Sequence, residues 1–535
     1  HRRGDQRDNT DVAAPAGNSK RANPHNPNKA SVERTLIDAV GGNMEQTLWF
    51  VAGSQHLYGQ KALDEVAKNA RAIAADLDQA PEIPAPVVAK GLVTTSAEIT
   101  RLVAEANADT SCAGLIVWMH TFSPAKMGIR GLADLRKPLA QFHTQLNRDI
   151  PYDKIDMDYM NLHQTAHGGR EFGHVAARLG IPRKVIAGHR SSERVRFRLG
   201  TWARAALAFS EQQGAKVARF GDNMRNVAVT EGDKVAAQIS LGYEVHGYGV
   251  GDLVERIDAV SDAEVTAAIE EYESQYELMS SLDKGGARRA ALETAARQEI
   301  GIKRFLDEGG FTAYTDTFED LSGIDQLPGL ATQRLMAAGY GFGAEGDWKT
   351  AALLRAVKTM GKGLSGGASF MEDYTYHFEP GRERVLGAHM LEVCPTIADT
   401  AGGAKPRLEI HPLSIGGKAD PVRLVFDTAP GPAVNASLVD MGDRFRLVVN
   451  PVEVVKPDAD FPNLPVARAV WIPEPDLESA AEAWIYAGAA HHTVFSQAVT
   501  VDMLEDYAEM CGLEFVLIDH DTKMRYFRQR LSSNQ

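Results

Sequence analysis

The chain has 535 residues, a formal net charge of −14, 44% hydrophobic residues and 24% charged ones. Polyanion binders are usually basic, so this acidic balance argues against nucleic acid as the partner, and the ordinary composition excludes collagen, coiled coil and wholesale disorder. At roughly 150 residues per domain, the length predicts about two to four domains. Cys112, Cys394 and Cys511 are far apart and form no C-x-x-C pair, as expected for free thiols in the reducing cytoplasm. The longest clean apolar run, Cys112–Met119, has the length of a buried strand and is far too short for a membrane helix.

Residues 1–43 contain no Phe, Trp or Tyr and repeat Asn, Pro, Ala and Arg. Such a segment cannot bury enough apolar surface to offset its ordering entropy, and it is expected to be a disordered N-terminal extension or sequence lying ahead of a start at Met44. It lacks the apolar core of a signal peptide, and Asp5, Asp8 and Asp11 argue against a mitochondrial transit sequence.

Patterning begins at Leu48. The run Leu48–Ala52 predicts a strand, and Leu63, Val66, Ala70, Ile73, Ala74 and Leu77 then recur at helical spacing. Further strands are expected at Pro86–Ala89, Gly114–Trp118, Pro138–Phe142 and Lys184–Gly188, with Thr95 and Glu98 forming a capping box at a helix start. Alternating strands and helices, with several strands apolar throughout, imply a parallel sheet covered on both faces, which binds ligands beyond its carboxyl ends. There lie Gly53–Gly59, His120–Pro124 and His143–Gln145, segments rich in uncharged hydrogen-bonding groups.

A second α/β region starts near Lys216 with Val217–Phe220 and Gly221–Met224 and continues through the strand-like Tyr243–His246 into helices at Ala263–Leu278 and Arg288–Leu306. Beyond about residue 380 the character becomes β, with runs at Arg407–His411, Val422–Phe426 and Arg444–Val449. The expected division is therefore an N-terminal α/β domain over residues 44–215, a central α/β domain over 216–367 and a β-rich domain over 368–535.

H-E-x-x-H, G-x-S-x-G and P-loop motifs are absent. Gly341–Gly346 matches G-x-G-x-x-G, but the stretch before it is helical in pattern and Glu345 would set a carboxylate where a pyrophosphate belongs. The same loop presents Glu345 on a backbone able to approach a ligand closely, although an acid at a helix start is also ordinary capping. Two further clusters combine acid, phenol and imidazole: Met371–His377, and the pair His491 and His492. Acids and imidazoles together suit a hard or borderline divalent cation such as Mn2+ or Mg2+, and spacing alone does not join the clusters into one site.

Seven longer blocks, in order, resemble the bacterial L-arabinose isomerase family: Gly53–Gly59, His120–Met127, Asn161–Phe172, Phe220–Met224, Gly346–Lys349, Phe370–Phe378 and His491–Phe495. The resemblance implies a fucose/arabinose isomerase-like fold: two Rossmann-like α/β domains followed by a C-terminal β-barrel. It implies one Mn2+ per subunit, replaceable by Co2+ or Mg2+, on Glu345, Glu372, His389 and His492, with Glu345 and Glu372 also the catalytic acid/base pair. Sugar contacts map by the same route to Gln55, Leu57, Tyr58, Gln164, His167, Met224, Phe318, Tyr374 and His491. The implied activity is conversion of L-arabinose to L-ribulose through an enediol, with D-galactose to D-tagatose as a side reaction. The implied assembly is a homohexamer with active sites at subunit interfaces. An isomerase for another sugar such as L-fucose, or a non-catalytic sugar-binding protein on the same fold, are the alternatives. His163 stands where relatives often carry Asn; it is expected to act as a neutral hydrogen-bonding replacement, the alternative being a tuning of sugar preference.

Overall fold

The computed structural model describes residues 45–533, so the expected disordered extension of residues 1–43 lies outside the described residues. Strands β1 (Thr47–Gly53), β2 (Val87–Val93), β3 (Cys112–Met119), β4 (Leu139–His143) and β5 (Lys184–Ala187) form a sheet in the order β2-β1-β3-β4-β5. All its pairings are parallel. β3 is buried along its whole length because helices cover both faces. The helix Gly59–Asp78 buries Leu63, Val66, Ala70, Ile73, Ala74 and Leu77 as one stripe. The capping box of Thr95 and Glu98 opens the helix Ser96–Ala108 as the sequence predicts.

The central unit carries β6 (Lys216–Phe220), β7 (Glu244–Tyr248), the short β8 (Glu277–Leu278), β9 (Ala313–Asp316) and β10 (Gly341–Gly343). Four of these make a second parallel sheet in the order β10-β9-β6-β7. The predicted helices appear as Asp262–Gln275 and Arg289–Gly309. Two residues assigned by pattern to the end of the first helix instead form β8, which pairs with a strand of the C-terminal unit. The glycine-rich stretch does follow a helix, Gly329–Ala337, but its first three residues are themselves strand β10.

The C-terminal unit contains β11 (Ala368–His377), β12 (Arg384–Ala388), β13 (Arg407–Ile410), β14 (Val422–Val425), β15 (Gly431–Asp440), β16 (Phe445–Val455), β17 (Arg468–Pro473), β18 (His492–Ser496) and β19 (Glu514–Leu517). β character therefore begins at Ala368, ahead of the patterned runs after residue 380. The main sheet runs β15-β18-β11-β12-β17-β16-β19, and β15 also pairs with β16 along its full length. β13 and β14 join β8 in a small third sheet that ties the central and C-terminal units together. Among the described residues no helix is long and apolar enough to cross a membrane.

Candidate active site and metal centre

The carboxyl ends of the central parallel sheet supply one half of the site. Gly221–Met224 follows β6, Thr317–Asp320 follows β9, and Ala344–Asp347 follows β10. The loops are stitched together by backbone bonds: Met224 N–H donates to Glu345 O at 2.9 Å and Gly346 N–H to Asp316 O at 2.9 Å. Glu345 sits at φ 60°, a left-handed conformation costing a non-glycine residue roughly 1–2 kcal/mol. The next residue must be glycine, since Gly346 has φ +82° and a Cβ there would lie 2.5 Å from Asn223 Cα. The loop is thus pressed onto the 222–224 segment with the Glu345 carboxylate turned into the site.

The other half comes from the C-terminal strands. In the antiparallel register Glu372 on β11 faces Ala388 of β12 on one side and His492 of β18 on the other. His389 follows Ala388 directly, so the register gathers one acid and two imidazoles. Glu372 Oε1 lies 3.4 Å from His389 Nε2 and 3.3 Å from His492 Nε2. Glu345 Oε2 lies 3.4 Å from His492 Nε2 and 3.5 Å from His491 Nε2. Phe370, fully buried two residues before Glu372, sets its ring against both imidazoles, with centroids 5.0 Å from His389 and 5.1 Å from His492.

Glu345, Glu372, His491 and His492 each offer a ligand atom, and these atoms all lie within 4.8 Å of one another. Glu345 Oε2 and His492 Nε2 are buried yet have no hydrogen-bond partner. Buried donors and acceptors are normally paired, so a convergent acid and imidazole left unpaired fit a divalent cation with oxygen and nitrogen ligands. His389 joins this group through Glu372. Burial grades outward, from His492 at 0% side-chain exposure to His491 at 45%, so the cluster opens past His491.

Each inner imidazole is held from behind by a second carboxylate. His492 Nδ1 donates to Asp347 Oδ2 at 3.0 Å, and His389 Nδ1 bonds the Glu392 carboxylate. An ionised carboxylate only accepts, so both rings carry their proton on Nδ1 and turn Nε2 toward Glu372. Electrostatics follow from this crowding. Burial pushes Glu345 up, but His491 and His492 outweigh it and bring it to about 2. Glu372 is likewise raised by burial and lowered further by His389 and His492, to a net value well below the usual range. Burial depresses His389, yet Glu392 and Glu372 lift it to about 10; His492 is raised in the same way, mainly by Asp347. Asp316, at the end of β9, is pushed up to about 7 by burial and by Glu392.

Of the sugar contacts implied by resemblance, His491 lies beside Glu345 and the Met224 backbone bonds to it. Tyr374 is on β11 two residues past Glu372 and 44% exposed, and its phenol is pushed up to about 12 by burial and by Glu372. Phe318 follows β9 and packs on the central core. Gln55, Leu57, Tyr58, Gln164 and His167 belong instead to the N-terminal sheet's carboxyl end. Gln55 Nε2 donates to Phe122 O at 2.7 Å, Leu57 is 80% exposed, and Gln164 N–H donates to His120 O at 2.9 Å. Among the described residues no hydrogen bond, ion pair or ring contact joins these five to the acid and imidazole cluster. Burial lowers the pKa of His163, in keeping with a neutral ring; its Nδ1 is buried without a hydrogen-bond partner, and the ring stacks on Tyr159 at 4.1 Å.

Sequence reasoning missed the roles of Asp347 and Glu392. Their signals were local: Asp347 caps the helix Trp348–Met360 by accepting from Thr350 N–H, and Glu392 lies three residues after His389.

The comparisons with known proteins agree along the chain. Family profiles of the L-arabinose isomerase N-terminal, central and C-terminal domains match residues 43–214, 216–363 and 367–514. An L-arabinose isomerase of Geobacillus stearothermophilus is 59% identical over 487 residues, 91% of this chain and 97% of the relative. One of Yersinia enterocolitica is 58% identical over 491 residues, 92% of this chain and 98% of the relative. One of Herpetosiphon aurantiacus is 58% identical over 487 residues, 91% of this chain and 96% of the relative. With three domain profiles in order and more than nine-tenths of the chain aligned, this chain belongs to the L-arabinose isomerase family.

Proposed function

We propose that the chain isomerises L-arabinose to L-ribulose, with D-galactose to D-tagatose as a slower reaction of the same site. The observation that carries this reading is the convergence of Glu345, Glu372, His491 and His492 ligand atoms within 4.8 Å. Glu345, Glu372, His389 and His492 would hold one divalent cation, Mn2+ in our reading, with Co2+ or Mg2+ as substitutes. Bound there, it supplies Lewis-acid stabilisation of charge developing on the substrate oxygens.

The residues account for the proton movements. One carboxylate of the Glu345 and Glu372 pair removes the C2 proton of the open-chain aldose while O1 takes a proton from solvent at the side open past His491, giving a cis-enediol. The O2 hydroxyl then returns a proton to solvent as the newly protonated carboxyl delivers its own to C1, and the ketose results. Both carboxylates are held ionised by the facing imidazoles, so each has an oxygen open to a proton, while the same lowering makes each a weaker base than a free carboxylate. Asp347 and Glu392 keep each Nε2 turned toward Glu372, and Tyr374 and His491 border the open side.

Gln55, Leu57, Tyr58, Gln164 and His167 contact sugar, in this reading, in the site of a neighbouring subunit of a homohexamer. Their separation from the acids, and the 80% exposure of Leu57, support that assignment. The circuit of pairings completed by β15 and β16 supports a C-terminal β-barrel. Three buried, unpaired cysteines support a cytoplasmic setting.

The test is a ketose assay on L-arabinose, D-galactose and L-fucose, run on chelator-stripped protein with and without added Mn2+. L-Ribulose should form fastest, and only with metal. Ketose from L-fucose alone would reassign the substrate, and none from any sugar would leave a binding protein.

A further inference from the structure

Lys349 takes no part in the proton movements described above, yet its side chain is completely buried. Its ammonium group has three donors, and three oxygens receive them. Asp347 Oδ1 lies at 3.0 Å, Thr230 O at 2.9 Å and Glu231 O at 2.7 Å. Room for it comes from Gly232, where a Cβ would lie 2.9 Å from the Trp348 ring and 3.3 Å from Lys349 Cδ.

The two carbonyls do not explain a charge. The same loop is already fastened by a neutral group, since Asn223 Nδ2 donates to Thr230 O at 2.5 Å and to Gly346 O at 3.1 Å. The partner that requires a cation is Asp347, whose side chain is 0% exposed and whose other oxygen receives His492 Nδ1 and, at 2.8 Å, the Thr350 hydroxyl. A buried carboxylate without a counter-charge is strongly unfavourable, whereas one that is paired and fully hydrogen-bonded is stable and fixed in orientation.

We propose that Lys349 is a positioning residue for the His492 imidazole, acting through Asp347: its ammonium group anchors the carboxylate that aims Nε2 into the donor cluster. The relay crosses three elements, from the turn Ala228–Thr230 through the start of the helix Trp348–Met360 to the first residue of β18. It rests on the reading of His492 as a metal ligand.

The experiment measures Mn2+ affinity, by the electron paramagnetic resonance signal of free metal, on chelator-stripped full-length Lys349→Met, Asp347→Asn, the double variant and His492→Asn. Removing groups that orient a ligating histidine typically weakens metal binding by about 10- to 100-fold, and Lys349→Met and Asp347→Asn should each do so. The double variant should be no weaker than the weaker single, because both act through one contact. The visible absorption of cobalt-loaded Lys349→Met should differ from that of the parent, a signature that loss of packing elsewhere would not produce. Lys349→Gln restores a neutral donor without charge and serves if Lys349→Met does not fold; it too should bind Mn2+ weakly. Parent-like affinity in Lys349→Met or Lys349→Gln, beside weakened His492→Asn, overturns the relay and leaves the metal reading intact. Unchanged affinity in His492→Asn overturns the metal reading beneath it.

Discussion

Glu345 shows what one residue costs and supplies. It keeps a left-handed backbone that an L side chain adopts reluctantly, and its carboxylate is held ionised against burial by two imidazoles. Replacing Glu345 or Glu372 by Gln preserves shape while removing the proton-accepting oxygen. Each change should lower turnover by about 10² or more at saturating Mn2+, the scale of general acid-base catalysis; near-normal turnover in either would falsify its role. A second prediction concerns His120, fully buried and stacked on Trp118 at 4.5 Å. Burial, and then His163, lower its pKa from 6.5 to about 4. The unfolded chain therefore binds this proton when the fold does not, so stability is fully present above pH 6.5 and declines as pH falls toward 4. The loss is about 3 kcal/mol. In His120→Gln the melting temperature should fall less steeply across that window, and an unchanged slope would assign the acid sensitivity elsewhere. At this scale the residue types were legible and their partnerships were not. Asp347 and Glu392 were visible beside Glu345 and His389, but that each lies behind an imidazole depends on a helix start and on strand ends meeting in space.

Legibility at the level of elements followed burial. The inner strands β1, β3 and β4 of the N-terminal sheet stood out because helices cover both faces there, which leaves β3 apolar throughout. β9 and β10 are only 4 and 3 residues long, too short to show periodicity. β11 is buried from Ala368 to Glu372 and then increasingly exposed, so acids and phenols filled the positions that would have marked a strand. The functional residues thus concealed the element that carries them. Phe370 is the element's hidden contribution, an aromatic floor touching both inner imidazoles. Phe370→Leu shortens a fully buried aromatic side chain and should cost roughly 1–3 kcal/mol of stability. It should also weaken Mn2+ binding several-fold, because a branched aliphatic group no longer braces two rings. Measuring denaturant midpoint and metal titration on one preparation separates the effects, and an unchanged titration would remove Phe370 from the support of the site.

At the scale of the whole molecule, three units and their order were evident from the alternation of strands and helices giving way to β runs. The site itself belongs to no single unit, since Glu345 comes from the central sheet while Glu372, His389 and His492 come from the C-terminal strands. The proposed sharing of sites between subunits makes a further prediction. Glu372→Gln and His167→Ala homo-oligomers should each be poorly active, yet co-expression of the two chains should restore substantial activity through sites that draw one intact half from each. Mixed oligomers no more active than their parents would place both halves in one chain. Co-purification through two different affinity tags confirms that mixing occurred.

The pairing of β15 with β16 has a bearing on accuracy. An open sheet can shift one strand past its neighbour at the cost of a single interface, and a one-residue shift sends every side chain to the opposite face. Here the pairings from β15 through β18, β11, β12, β17 and β16 return to β15. Displacing β11 against β18 means re-pairing strands all the way around. Glu372 and His492 are therefore kept opposite each other by an indexing that no single neighbour can relax, and errors in the distance between acid and imidazole are suppressed by β15, β16 and β17, strands that carry none of the candidate site's residues.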